Sequence, residues 1–436
     1  MKLLELSKEE FQGFSENHPQ MTFLQSPCWG ELKHQNGWDV VYLGVKKDKK
    51  ILAGCMMLSK MTPVKKRMFY APRGFLIDYD DADLLREFTL LIRDYVKQHD
   101  GIFFKIDPYL IHKQRDRDGQ VVEGGIDHSD VKNRLIQLGY LPQWTKITDQ
   151  SLQAQWMYTL DLKDKSLEQV MKEMDPKTRQ MIRKNEKNGV VVRQGTREDV
   201  RLFADIMKHT SERRDFLGRS YEYYLHMYDS FCQEGKFLLM IAEIHPQEQL
   251  NLLKQEEKDL QAEYDTRKKE HDTQERKMKE DKYQQRQKDT EEQLQRLQKQ
   301  QEKMRELADE YGEVLPLGAI IYMLYGGEVL SFYGGAYENF LNFQPFYTLH
   351  YEMIRYAIDH GYQTYNFYGI HGNLVKEDPM YGVYLFKRGF GGQVVELIGE
   401  FDYPVSLFWY RVYKISYDVV HKAKQWKMKL THVTKK

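Results

Sequence analysis

Between Pro246 and Gly312 the chain contains neither glycine nor proline, and almost every residue is charged, glutamine or a spaced hydrophobe. Such a run favours helix over any other regular structure. Leu250, Leu253, Leu260 and Tyr264 follow alternating three- and four-residue steps once Glu257 fills the missing position. Leu294, Leu297, Met304, Ala308 and Tyr311 do the same around Gln301; both are heptad seams. One continuous helix would reach roughly 100 Å. A fold-back near His271–Asp281, giving two facing arms of about 45 Å, is the more economical solution.

The flanks say what the arm projects from. Phe237–Ile244 and Leu317–Leu324 are apolar, strand-like runs,, expected as neighbours in one sheet. The coiled coil then takes the place of a hairpin turn inside a globular domain. Lys268, Lys269, Arg276, Lys277, Lys279, Lys282 and Arg286 concentrate toward its tip. They suit a handle for a large polyanion, although nearby acidic residues dilute that field and a solvated spacer or association arm has the same pattern.

The 436 residues suffice for two ordinary domains plus the arm,. Formal net charge is zero, so an anionic partner must be met by local patches. Cys28, Cys55 and Cys232 are widely separated, which argues against a disulfide framework or a zinc site and fits a reducing cytosol. The histidines lack HxxxH or HExxH spacing,. The N-terminus turns polar too early for a signal peptide, and no run approaches the ~18 apolar residues of a membrane span. The expectation is a cytoplasmic protein needing no cofactor or metal.

Along residues 1–150, strands are expected at Val40–Val45, Ile51–Leu58 and Ile102–Ile106, and helices at Ala82–Gln98 and Asp130–Leu138,. The polar, glycine-containing stretch Ile111–Gly125 between them predicts a mobile excursion. From about Ser151 a second unit begins, with a capping box at Ser166 and Gln169 and a fresh helix start at Pro176,. Its helix pair carries a basic face of Lys177, Arg179, Arg183, Lys184 and Lys187. After the arm, strands at Gly318–Tyr325, Val329–Gly334 and Thr364–Tyr368 and a helix at Leu349–His360 rebuild a mixed sheet. The C-terminal segment 401–436 predicts an amphipathic helix through Phe408, Val412, Ile415, Val419, Ala423, Trp426 and Leu430, docked on the body or touching anionic lipid. The fold class is α/β with mixed sheets: two units in tandem, 1–150 and 151–245 plus 312–400, with the arm at 246–311.

Several strings converge on one family: Phe23-Leu24-Gln25-Ser26 with Trp29 and Lys33; Ala71-Pro72-Arg73-Gly74; Lys105-Ile106-Asp107-Pro108; Lys177-Thr178-Arg179; Arg213-Arg214-Asp215-Phe216; Tyr365-Asn366-Phe367-Tyr368-Gly369; and Leu385-Phe386-Lys387-Arg388-Gly389-Phe390-Gly391-Gly392. Their order and spacing along nearly the whole chain resemble the FemABX peptidyltransferases, specifically the arm-bearing FemA-like and MurM-like members. The chain departs in placing Phe75 where the family commonly follows Pro-Arg-Gly with another proline.

The resemblance implies two GNAT-like domains in tandem. It also implies an aminoacyltransferase that moves an amino acid from aminoacyl-tRNA to the stem-peptide side chain, or growing branch, of a peptidoglycan precursor. The acceptor is lipid II or the UDP-MurNAc-pentapeptide, met in the cytoplasm or at the inner face of the membrane. Peripheral membrane contact and association with related transferases go with it. By the same resemblance Lys387 is the catalytic lysine and Phe386 shapes the site. Lys33, Arg219 and Tyr223 hold the diphosphate and sugar of the precursor, and Tyr333 joins them. Asp107 positions or deprotonates the incoming amine, against the plainer role of a turn cap at a strand end.

Aminolysis of an ester passes through a tetrahedral oxyanion, and a fixed cation beside it is the obvious aid. The plain alternative for Lys387 is a solvated strand end, but Gly389 and Gly391-Gly392 favour close approach of backbone to ligand. A coenzyme A dependent N-acyltransferase would share the fold class. Its pyrophosphate turn needs Gln/Arg-x-x-Gly-x-Gly/Ala, which Arg388 and Gly391 start and Gln393 breaks. A non-catalytic RNA-binding or scaffold protein would keep the arm and dispense with Lys387.

Overall fold

The computed structural model describes residues 1–143, 152–214, 216–273 and 280–417. Two mixed sheets organise it. The first runs in spatial order Leu3–Glu5, Asp39–Lys47, Lys50–Met61, Arg67–Ala71, Gly101–Ile106, Glu400–Pro404 and Leu141–Gln143. The second runs Ile111–Gln114, Gln393–Leu397, Trp156–Asp161, Thr364–Gly369, Glu328–Ala336, Leu315–Tyr325, Phe237–Ile244 and Val190–Gln194. This is the expected tandem α/β arrangement, with each sheet antiparallel except for one parallel pair, Arg67–Ala71 with Gly101–Ile106 and Glu328–Ala336 with Thr364–Gly369.

The helix Ala82–Gln98 covers the first sheet through Leu85, Phe88, Ile92 and Val96, a stripe of three- and four-residue steps that leaves polar residues to solvent. On the second sheet the helix Pro345–Asp359 buries Leu349, Met353, Ile354 and Ala357. One apolar cluster crosses between the halves, joining Phe23, Leu24 and Trp29 to Phe203, Tyr224, Ile321 and Met323.

The arm consists of helices Pro246–Asp272 and Glu280–Tyr311, packed along each other. Its flanking strands are antiparallel neighbours, with Ile244 opposite Leu315. The two polar seam positions satisfy one another: Gln301 Nε2 donates to Glu257 Oε2 at 2.7 Å and Gln298 Nε2 to Glu257 Oε1 at 2.9 Å. Farther out, His271 stacks on Tyr283 at 3.7 Å. Arg276, Lys277 and Lys279 lie outside the described residues. At its base the arm is not independent, because Leu250, Leu253 and Met304 belong to the core of the second sheet.

Three segments differ from expectation. Ile111–Gln114, expected as a mobile excursion, is an edge strand of the second sheet paired with Gln393–Leu397. Arg115 and His112 are fixed there by Glu396, at 2.7 and 3.0 Å. Glu400–Pro404, placed partly at the head of the C-terminal helix, is a strand inserted beside Gly101–Ile106. Its cause is Lys105, a buried lysine whose ammonium is met by both Glu400 and Asp402. Helix then covers residues 407–417, but the face that docks is Tyr410 and Tyr413 on Phe103. The Tyr410 hydroxyl donates to Asp402 at 2.7 Å. Phe408 and Ile415 of the expected stripe are 68% and 66% exposed, and Val419, Ala423, Trp426 and Leu430 lie outside the described residues.

The arm therefore divides energetically into a base and a distal part. Shortening it to residues 246–260 and 294–311 through a short loop, which keeps Leu297 with the base, should leave the melting temperature within a few degrees. Joining Ile244 directly to Leu315 removes Leu250, Leu253, Leu297 and Met304 from the core of the second sheet, each worth about 2 kcal/mol buried, and should lower it by on the order of 10 °C. Thermal denaturation of the two variants checks this.

Candidate functional site

A cavity of about 640 Å³ opens where the two halves meet. One wall is the helix Pro27–Gln35, started by Ser26, whose Oγ accepts the Trp29 N–H at 3.3 Å. The buried Gln25 ties this start to the first sheet: Nε2 donates to the Pro72 carbonyl at 2.7 Å, and Oε1 accepts the Met56 N–H at 2.7 Å. Trp29 and Lys33, four residues apart, then share one face, with Lys33 Nζ 4.3 Å from the Trp29 ring centre. The opposite wall is the helix Tyr221–Cys232, capped by Ser220. The Arg219 guanidinium lies over Tyr223 at 5.1 Å and Lys33 over the same ring at 5.8 Å.

The third wall comes from Glu328–Ala336. Tyr333 pairs with Ile321 and Ser331 with Tyr322, so Phe332 is an extra residue in the ladder. A bulge of this kind turns neighbouring side chains to one face, and both Phe332 and Tyr333 line the cavity. Trp38, Lys60, Tyr70, Gln153 and Tyr368 complete much of the lining.

Lys33, Lys60 and Arg219 have no carboxylate ion-pair partner among the described residues. Burial first, then Arg219 and Lys60, lowers Lys33 to about 8. Burial and the neighbouring Tyr333 phenol keep the Tyr223 hydroxyl protonated. The result is an aromatic-walled chamber with concentrated positive charge and donor groups, the chemistry of a site for an anionic, partly apolar ligand.

Lys387 is found in the last turn of the helix Tyr381–Arg388, where carbonyl ends favour a cation, and not at a strand end. Its Nζ donates to the carbonyls of Gly369 at 2.7 Å and Tyr368 at 3.2 Å. Burial lowers it to about 7. The glycines that follow have a packing reason: a Cβ on Gly392 would lie 2.2 Å from the Thr159 carbonyl oxygen, and one on Gly389 2.4 Å from Thr178 Oγ1. They lead into the strand Gln393–Leu397 and do not open a helix as a pyrophosphate loop would. Phe386 packs against His350, Tyr347 and Phe390. Lys387 does not line the cavity; Tyr368 is the common neighbour, its side chain in the cavity and its carbonyl on Lys387.

Asp107 follows the strand Gly101–Ile106 and is buried. Oδ1 accepts the Arg73 N–H at 2.7 Å, Oδ2 accepts the Tyr70 hydroxyl at 3.1 Å, and Arg73 Nη1 stands 3.6 Å away. Burial pushes its carboxyl up to about 7 against the pull of Arg73. It reaches the cavity only through Tyr70.

Lys33, Arg219, Tyr223 and Tyr333 are thus brought together, while Lys387 with Phe386 and Asp107 flank them. Sequence reasoning missed Lys60, Trp38, Tyr70 and Gln153. Of these Lys60 had a signal, as a charge two residues beyond the apolar run Ile51–Leu58. On the basic helix, Arg179 is spent on the preceding helix end, where it donates to Met171 O at 3.2 Å and to Met174 O. No His/Cys/Asp/Glu group suited to a metal occurs among the described residues.

A cavity whose lysine sits near 8 binds an anion more weakly as pH rises past that value, because the unliganded protein loses the charge. The Kd for inorganic pyrophosphate should rise above about pH 8, and Lys33→Arg, which stays charged, should flatten that rise; equilibrium titration across that pH on both proteins checks it.

Residues 6–418 match the model of the FemAB family. The chain is 30% identical over 418 residues to the aminoacyltransferase FemA of Staphylococcus epidermidis, covering 95% of this chain and 98% of that one. It is 29% identical over 421 residues to FemA of Staphylococcus aureus strain N315, covering 95% and 97%. The crystal structure of FemX superposes with a TM-score of 0.80 at 26% identity, covering 94% of this chain and 99% of that one.

Proposed function

The chain belongs to the FemAB family, and on that premise we propose how its cavity and its buried lysine carry out aminoacyl transfer. The protein is an aminoacyltransferase of peptidoglycan interpeptide-bridge synthesis, with aminoacyl-tRNA as donor and a peptidoglycan precursor as acceptor. The observation that carries the finer reading is the unneutralised group Lys33, Lys60 and Arg219 in an aromatic cavity. It supports recognition of the acceptor through its diphosphate, which lipid II and the UDP-MurNAc-pentapeptide share. Arg219 offers paired donors to phosphate oxygens, Tyr223 seats Arg219 and Lys33 on its ring, and Tyr333 offers a hydroxyl and a ring face to the sugar.

The acceptor amine, neutral when it attacks, forms the new C–N bond at the ester carbonyl, whose electron pair moves onto oxygen. The Lys387 ammonium stabilises that oxyanion. Collapse breaks the bond to the terminal ribose oxygen of the tRNA, and the proton given up by the attacking nitrogen ends on that oxygen. Phe386, packed on Tyr347, His350 and Phe390, anchors the helix turn that carries Lys387. Asp107, with both oxygens engaged, acts on the cavity by holding Tyr70. The reaction takes place in the cytoplasm at the inner face of the membrane, and exposed Leu407, Phe408 and Ile415 support peripheral contact there. Lys268, Lys269, Lys282 and Arg286 on the distal arm support a contact with tRNA phosphates.

Incubation with mixed charged tRNAs and, separately, lipid II or the UDP-linked precursor should give a product heavier by one aminoacyl residue; no mass gain with either acceptor would overturn the reading. Lys387→Met should lower transfer about 10²–10³-fold with precursor affinity intact, and near-normal turnover would remove Lys387 from the mechanism. Arg219→Lys and Lys33→Ala should raise KM for the precursor more than KM for aminoacyl-tRNA, with the reverse order assigning these residues to the donor.

A further inference from the structure

The strand Thr364–Gly369 ends irregularly. Asn366 pairs with Thr159 and Gly369 with Met157, so three residues span what two span on the neighbouring strand. Within that bulge Tyr368 adopts φ +62°, a left-handed conformation that an aromatic residue holds only when its surroundings impose it. What imposes it is Asn366. Its Oδ1 accepts the Tyr368 N–H at 2.7 Å, and its Nδ2 donates to Glu328 Oε1 at 2.9 Å. Asn366 is fully buried. Glu328 is held in turn by the Tyr109 hydroxyl at 2.9 Å.

The left-handed residue has two outputs. Its side chain lines the cavity, anchored by a hydrogen bond from the phenol to Gln153 at 2.6 Å. Its carbonyl, with that of Gly369, receives the Lys387 ammonium. Two carbonyls aimed at one ammonium favour the charged form against burial, and they keep that charge at one place.

We propose that Asn366 is a positioning residue: by holding the Tyr368 peptide in its left-handed turn, it aims the two carbonyls that seat the Lys387 ammonium beside the cavity. The proposal rests on the reading of Lys387 as the oxyanion cation. Without the Asn366 carboxamide the turn relaxes, the carbonyls leave the ammonium, and the neutral amine gains. Because Lys387 acts only when protonated, the alkaline limb of the kcat profile follows its pKa and moves to lower pH as that pKa falls. The separate anchor on Gln153 leaves precursor binding largely in place.

The test is the kcat profile of Asn366→Ala, alone and in a Tyr368→Gly background, with Lys387→Met as the control. Asn366→Ala should lower kcat about tenfold or more with precursor KM within about threefold, and move the alkaline limb down by about one pH unit. Glycine takes positive φ without help, so in the Tyr368→Gly background the same substitution should hardly move the limb. A merely structural asparagine would lower the melting temperature and leave the limb in place in both backgrounds. If Lys387→Met is inactive and Asn366→Ala keeps the wild-type limb, or shifts it equally in both backgrounds, the proposal is wrong and the Lys387 reading stands. If Lys387→Met retains near-normal transfer, that reading fails and the proposal with it. Should Asn366→Ala not fold, the swap Asn366→Asp/Glu328→Gln keeps one acceptor for the Tyr368 N–H and one donor across the pair. It should retain the wild-type limb, and a shifted limb in the folded swap would overturn the proposal.

Discussion

Lys33, Lys60 and Arg219 repel one another across the mouth of a cavity that offers them no carboxylate. Everything around them works to keep that arrangement standing. Trp29, Trp38 and Tyr223 put ring faces under the three cations at 4.3 to 5.5 Å, a contact worth about 0.5–1 kcal/mol each at partly exposed sites. That offsets part of the repulsion without cancelling charge. A diphosphate entering the cavity finds positive charge already gathered, and its own charge opposes the burial and, after it, the repulsion from Arg219 and Lys60 that hold Lys33 near 8.

Neither half of the molecule could hold this site alone. Lys33 and Lys60 stand on elements of the first half, while Arg219, Tyr223 and Tyr333 come from the second. Their relative placement depends on buried joints: the apolar cluster around Phe23, Trp29 and Phe203, Arg73 Nη2 donating to Ala154 O at 2.5 Å, and Tyr109 reaching Glu328. The insertion of Glu400–Pro404 into the first sheet closes the chain back on its beginning. Breaking one partner of the buried Lys105, Glu400 and Asp402 group would strand a charge, which commonly costs several kcal/mol.

What could be read in the sequence was whatever is local or periodic. The arm was legible because a heptad seam survives two polar interruptions, and Glu257 and Gln301 turn out to pair across it. The capping box at Ser166 and Gln169 was legible because both partners lie three residues apart. The strand Glu400–Pro404 was not, since its reason is Lys105, almost three hundred residues earlier. The amphipathic stripe misled at the C-terminus because two tyrosines docked in its place, their rings on Phe103 and the Tyr410 phenol on Asp402. At the site, Lys33, Arg219, Tyr223 and Tyr333 were found through resemblance. Two bulges hid Phe332 and Tyr368: the first beside Tyr333, the second out of step with its strand, both break the alternation on which strand reading depends, while Trp38, Lys60, Tyr70 and Gln153 reach the cavity from separate parts of the chain.

Lys33 is held short of full protonation until a diphosphate arrives. Calorimetric titration of the protein with UDP-MurNAc-pentapeptide at pH 8, in buffers of differing ionisation enthalpy, counts the protons exchanged on binding. With Lys33 near 8, the account predicts uptake of about half a proton, abolished in Lys33→Arg. Binding without proton uptake, or uptake unchanged in that variant, would contradict it.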